Sequence, residues 1–248
     1  MVRVRMRLLS WCLLLSWLLA GPCWGRQTPN VEPNTPGDKP VPVITFDLAF
    51  PGTTPSHYSI AVESTGKAAY RSDDLGTEGQ RASAAGSPYL LEFIVSEATC
   101  TQIFNLAREL NYFRGDFNYT KTRVADTGTK TLSYSEGPAN SFDTPTNGKR
   151  TQTVYNYSQN GSIQQLTAIF QRISSTLELG RRIAFLHRFD KLGLDAELKR
   201  ADEMAAENQL LELQAIAPTL RAVAGDYSVL HIAREHAEHL LELAGTRP

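Results

Sequence analysis

The spacing of apolar residues changes period at Ser96, and that change limits the fold more than any motif in the chain. From Val43 to Val95 the period is two. Val43, Thr45 and Asp47 alternate with Ile44, Phe46 and Leu48, and in HYSIAVE Tyr58, Ile60 and Val62 lie opposite Ser59, Ala61 and Glu63. Ser64-Thr65-Gly66 turns the chain, KAAYR returns, and PYLLEFIV, Pro88 to Val95, is a further strand. Strand side chains point to opposite faces in turn, so this alternation predicts a half-buried antiparallel sheet. Ser96 then suits a helix N-cap, and Cys100, Ile103, Phe104, Ala107 and Leu110 fall on one side of a helix. Two more strands are expected near Thr129–Ser135 and Arg150–Tyr157. Ser162 to Gln165 reads as a capping box opening a second helix with Leu166, Ile169, Phe170, Ile173 and Leu177 inward. Its continuation past Gly180 to Phe189 stays open.

Beyond Asp190 the chain is rich in Ala, Leu and Glu with no strand pattern. Pro218 and Gly225-Asp226 interrupt it, and YSVLHIAREHAEHLLELA reads as a last helix. The expected fold is therefore α+β: an antiparallel sheet of about six strands with two helices packed on one face, followed by a helical C-terminal subdomain. The α+β domain is assigned to residues 43–190 and the helical piece to 191–248. The Gly-, Ser- and Ala-rich stretch Asp73 to Ser87 and the segment EGPANSFDTPTNGK read as loops.

The N-terminus reads as an address. Arg3, Arg5 and Arg7 precede the apolar run LLSWCLLLSWLLAG, Leu8 to Gly21, which is short for a bilayer span of about 20 residues. A secretory signal over 1–25, cut after Gly25, fits this pattern. Its alternatives are an uncleaved N-terminal anchor and a lipid-modified Cys23, although Pro22 stands where a lipoprotein signal has a small residue. Residues 26–42, with Pro29, Pro33, Pro36, Pro40 and Pro42, read as a flexible tether. The expected location is periplasmic or extracellular, with no stable membrane span once the signal is removed.

The chain carries 25 basic and 26 acidic residues; without the first 25 residues these become 22 and 26, a formal charge of −4. That balance gives no sign of a nucleic-acid partner or an anionic-lipid surface. Cys12 and Cys23 leave with the signal, so Cys100 stands alone, no internal disulfide is expected, and stability rests on an apolar core.

Four features suggest chemistry. Asp126-Thr127-Gly128-Thr129 spells the string that carries the catalytic carboxylate of aspartic proteases. Such an enzyme needs two carboxylates sharing a proton, and one copy per chain would demand a dimer. The competing reading is a turn: Asp accepts a backbone amide, Gly takes positive φ, and the strand TKTLSY leaves it. On the last helix His231, Glu235, Glu238, His239 and Glu242 share a side, so His231, Glu235 and His239 (or Glu238) could be drawn as metal ligands. A solvated polar face is the reading preferred over a metal site, since there is no H-E-x-x-H and one helix alone rarely encloses an ion. Cys100 could be a nucleophile, but its place on the apolar side of its helix reads as core. Asn118, Asn156 and Asn160 open glycosylation patterns. No cofactor is expected.

PGTTPSHYSIAVESTGKAAY, Pro51 to Tyr70, resembles the opening of an exported bacterial domain family of unknown function. The pattern is Gly-x-Cys-Pro, a short gap, Tyr, alternating apolar residues, then Gly before a final Tyr. Gly52, Pro55, Tyr58, Ile60, Gly66 and Tyr70 match it, with Thr54 in place of the Cys. The resemblance spans about Ile44 to Leu177. It implies a small α+β domain, makes Asp126 the head of a turn into a strand, and supplies no activity. The expected function is a non-catalytic exported module that binds an envelope protein or ligand. The alternatives are an aspartic-type hydrolase using Asp126 and an assembly factor docking through its C-terminal helices.

Export predicts that protein recovered outside the producing cell begins near Arg26. Having lost Trp11, Trp17 and Trp24, it fluoresces as a tyrosine-only protein. Mass spectrometry finding Met1 to Gly25 intact in that material would overturn the export reading.

Overall fold

The computed structural model describes residues 41–73, 88–136 and 150–245. The expected signal peptide, almost all of the tether, Cys12, Cys23 and nearly all of the two expected loops lie outside the described residues. Six strands form one sheet: β1 Pro42–Ala49, β2 His57–Glu63, β3 Lys67–Asp73, β4 Tyr89–Ile94, β5 Thr129–Glu136 and β6 Thr151–Tyr155. Their order is β4-β3-β2-β1-β5-β6, and every neighbouring pair is antiparallel. Five α-helices follow among the described residues: α1 Glu97–Glu109, α2 Gly161–Phe189, α3 Lys191–Ala206, α4 Ala217–Ala224 and α5 His231–Leu243. The fold is α+β, with the helices largely C-terminal.

Register follows from the alternation. Phe46 stands opposite Ile60 on one side and Leu132 on the other, so one face of the sheet collects Ile44, Phe46, Ile60, Val62, Tyr70 and Leu132, all buried. A slip of one residue would turn that set to the other face. α2 lies on this face, its Phe170 ring stacked on Phe46 with centroids 5.2 Å apart and planes 3° from parallel. Polar groups buried at the contact are paired: the Tyr70 and Ser72 hydroxyls donate to Glu178 Oε1 at 2.8 and 2.6 Å, and Tyr155 meets Thr167 at 2.7 Å. Burial, aided by the nearby Glu178 charge, drives the Tyr70 phenol far above its ordinary range, so it stays a neutral donor.

The capping box does not form. Asn160 caps α2 instead, its Oδ1 accepting from Ser162 N and Ile163 N, while the Ser162 hydroxyl turns to Glu109 at 2.9 Å. Asn160 stands two residues earlier and satisfies both amides alone, so Ser162 is released to tie α2 to α1. Pro218 opens α4, where a missing amide costs nothing. The last helix begins at His231, leaving Tyr227 to Leu230 outside it.

The helical tail enters the same core as the sheet: Leu194, Leu198, Ile216, Leu220, Ala233 and Leu240 belong to one apolar cluster with Phe46 and Phe170. Gly180 shows how closely the tail sits. A Cβ placed there would come within 2.3 Å of Ile216 Cγ2. Beside it, Thr176 Oγ1 accepts from Leu211 N at 3.0 Å, and Arg172 donates to Leu210 O at 3.1 Å. The buried Glu212 carboxylate reaches back to Ser96, accepting from its backbone N at 2.7 Å and its hydroxyl at 2.8 Å.

Gly180→Ala should therefore destabilise the protein by about 1–3 kcal/mol, although Ala is the better helix former by about 1 kcal/mol. In a double-mutant cycle read by denaturant unfolding, Ile216→Ala should cancel part of that cost. Strict additivity of the two changes would show that the tail does not press on α2 in solution.

Candidate ligand-binding site

Asp126 heads a turn. Its Oδ1 accepts from Gly128 N at 3.0 Å, and Gly128 has φ +85°, with Phe50 Cβ 2.7 Å from where a side chain would start. Gly is required on both counts. Behind the turn Asn156 accepts from Thr127 N at 2.8 Å through Oδ1 and donates from Nδ2 to Ala125 O at 3.0 Å. Lys130, only 4% exposed, closes the assembly. Its ammonium donates to Thr127 O, Thr127 Oγ1, Gly128 O and Asn156 O at 2.8–3.1 Å. Burial lowers the Lys130 pKa from the ordinary lysine range, and the Asp126 charge offsets part of that effect.

The histidines of α5 do not gather around a shared point. His231 pairs with Glu235 at 3.3 Å in the open, whereas His236 and His239 both turn to Asp202 on α3, at 2.5 and 3.1 Å. Asp202 and His236 were not among the residues expected to meet. Among the described residues no three His, Cys, Asp or Glu side chains are placed to hold a metal ion. His57 and His187 each meet an acid, Asp73 at 3.2 Å and Asp226 at 3.0 Å. The three glycosylation-pattern asparagines are also in use: Asn118 Oδ1 accepts from Asn156 N at 3.1 Å, and Asn160 caps α2.

Cys100 donates weakly to Glu63 O at 3.6 Å, and burial pushes its thiol pKa up, so it is a poor nucleophile. It does, however, floor a cavity of about 350 Å³ beside α1, within the size range of small-ligand sites. Phe104, Asn105 and Arg108 line it from α1, Tyr112 from the segment after α1 and Tyr134 from β5, with Pro42 and Ser64.

The backbone at Tyr112 is unusual. Asn111, Tyr112 and Phe113 have φ of 49°, 52° and 63°, three successive non-glycine residues in the left-handed region. Each such residue costs on the order of 1–2 kcal/mol. The turn is pinned by the fully buried Phe113 and by Thr151 Oγ1, which donates to Tyr112 O at 2.5 Å. It brings the Tyr112 ring within 4.6 Å of Tyr134 at the cavity wall. Burial raises the Tyr134 phenol pKa, which keeps it neutral. Sequence reasoning missed this site. Its one local signal is Asn111, a residue tolerant of positive φ, directly after a helix.

Of the residues carrying the Pro51–Tyr70 pattern, Tyr58, Ile60 and Tyr70 are core side chains of β2 and β3. No protein-family model and no curated protein matches this chain.

Asp126→Asn should change stability by less than about 1 kcal/mol, because Asn accepts the same Gly128 amide. Lys130→Met should cost about 2–4 kcal/mol, because it takes the ammonium from the Thr127 and Gly128 carbonyls and leaves Asn156 O with the Thr127 hydroxyl. In urea unfolding, a loss in Asp126→Asn as large as that in Lys130→Met would mean that the Asp126 charge holds the turn as strongly as the Lys130 ammonium does.

Proposed function

We propose that the chain is an exported, non-catalytic binding module of the cell envelope whose ligand occupies the cavity between α1 and Tyr112. The left-handed turn carries this reading. Strain of this kind persists where surrounding contacts enforce it, and here its product is a pair of tyrosine rings at a cavity wall. The walls indicate the ligand class. Phe104, Tyr112 and Tyr134 offer ring surface to an apolar or aromatic group, and Arg108 with Asn105 offers donors to a carboxylate. Export is supported by the basic-then-apolar N-terminal sequence. No helix among the described residues is long and apolar enough to cross a membrane. Asp126 contributes a turn to this reading and no chemistry.

A thermal-shift screen of aromatic and aliphatic carboxylic acids tests it. A binder should raise Tm in the wild type and lose at least about tenfold in affinity in Tyr112→Gly. That variant should stay folded, because relief of the left-handed strain offsets the lost ring contact. If no acid shifts Tm at about 1 mM, or if every binder is indifferent to Tyr112, the cavity is not the site.

A further inference from the structure

The two edges of the sheet are finished differently. At the β6 edge the chain that follows α1 is fastened near both ends of the strand. The Thr151 hydroxyl donates to Tyr112 O at 2.5 Å. Just beyond β6, Asn156 N donates to Asn118 Oδ1 at 3.1 Å and Tyr119 N donates to Tyr157 O at 2.8 Å. At the β4 edge no further strand pairs among the described residues. β4, YLLEFI, also lacks the devices that blunt an edge. It contains no Lys, Pro or Gly, and its six residues pair with β3 without a bulge.

The hydrogen-bond phase shows which groups that edge offers. In an antiparallel pair, alternate residues exchange both backbone bonds with the residue opposite. Val95 N donates to Gly66 O at 2.9 Å, one step beyond the Lys67–Ile94 pair of the register. In the phase this sets, Tyr89, Leu91 and Phe93 bond to β3. Leu90, Glu92 and Ile94 therefore turn their N–H and C=O groups to the open edge. Their side chains lie on the sheet face away from Phe93 and the core, and all three are exposed, Leu90 at 59% and Ile94 at 62%. A row of outward backbone groups with large apolar side chains beside it is what an added strand completes.

We infer that the β4 edge receives an extended segment of a partner protein, a strand that sets a basic residue opposite Glu92 and apolar residues opposite Leu90 and Ile94. Among the described residues no ion pair or side-chain hydrogen bond engages Glu92. Its β3 neighbour directly opposite is Ala69. The cations Lys67 and Arg71 stand diagonally, and Arg71 is drawn to Asp73 at 3.4 Å. A cation on the added strand directly opposite would be about 5 Å away between Cβ atoms, nearer than a diagonal neighbour at about 7–8 Å. Backbone bonds and apolar contacts supply the affinity, and the charge pair fixes the register. A second copy of the chain fits less well. The two-fold pairing that uses all six residues sets Leu90 against the copy's Ile94, but it also sets Glu92 against the copy's Glu92. A slip of two residues separates those charges and shortens the ladder. The inference is independent of the cavity, whose lining contains no residue of β4.

Residue-resolved hydrogen exchange on the full chain tests it. In dilute protein the amides of Leu90, Glu92 and Ile94 should exchange at least about tenfold faster than those of Leu91 and Phe93. The probe is the capped peptide Thr-Val-Thr-Lys-Thr-Val-Thr at about 1 mM, with the same peptide carrying Glu in place of Lys as its control. The Lys peptide should slow the three edge amides at least about threefold, and the Glu peptide should not. In Glu92→Lys, a surface change whose fold an unchanged thermal melt checks, the preference should reverse. Edge amides already protected in dilute protein, no slowing by either peptide, or a preference that Glu92→Lys leaves unchanged would overturn the inference. So would the same slowing on raising protein concentration without peptide, which would identify a second copy as the occupant.

Discussion

Helix α2 has to be covered on two sides, and most of the structure follows from how that is done. At 29 residues it is about 43 Å long, and its buried residues, Ile163 to Ile183, extend around more than the width of one amphipathic stripe. The sheet covers one side through Phe46 against Phe170. The tail covers the other, where α2 presents Thr176 and Gly180 rather than large residues. Small residues are needed there because the tail backbone comes close enough for Thr176 to accept an amide from Leu211. Buried helix faces exclude surplus volume as firmly as they exclude water. The change in composition at Asp190 therefore marks a change of layer, and the apolar cluster runs across it.

That arrangement also fixes α1, and through α1 the cavity. Ser96 caps α1 through Thr99 N and is itself held by Glu212 from the tail, while Glu109 near the other end accepts from Ser162 of α2. A helix held at both ends cannot shift to relieve strain in the chain that leaves it. The left-handed turn at Asn111–Phe113 follows directly, with Phe113 as its anchor. Burying a Phe side chain contributes about 2–3 kcal/mol, comparable to the cost of one or two such residues. The strain is thus tolerated by packing that exists for other reasons.

What could be read from the sequence was what is local. Alternation in VITFDLAF and HYSIAVE, the Ser96 cap, and the apolar side of α1 depend on neighbours within a few residues, and each is present. The expected cap of α2 fell to Asn160 rather than Ser162: both suit the role locally, and Glu109, 53 residues away, gives Ser162 another partner. Lys130 faces inward because Thr127, Gly128 and Asn156 turn carbonyl groups toward it, and Asn156 is 26 residues away in sequence. Asp202 carried no sign that it would receive two histidines 34 and 37 residues later. The cavity was the least legible feature, because Tyr112 and Phe113 have no preference for the conformation they adopt. Distant contacts impose it.

The residues that look most chemical in this sequence are those the fold uses up, and this separates structure from function better than motif resemblance does. A carboxylate that does chemistry must offer its oxygens to something that arrives; Asp126 gives one to Gly128, and Glu212 gives both to Ser96. His57, His187, His236 and His239 each direct one nitrogen to an acid of the same chain, which fixes the ring in place. The cavity is different in kind. Arg108 spends one guanidinium nitrogen on Asn105, three residues before it on α1, while Tyr112 and Tyr134, in the same lining, meet each other ring to ring. Ring faces are satisfied only by contact, and the left-handed turn sets the Tyr112 ring against Tyr134 in the cavity lining. The one run of successive left-handed non-glycine residues among the described residues, Asn111 to Phe113, stands beside a cavity with tyrosine rings in its lining, and the proposed binding role rests on that juxtaposition.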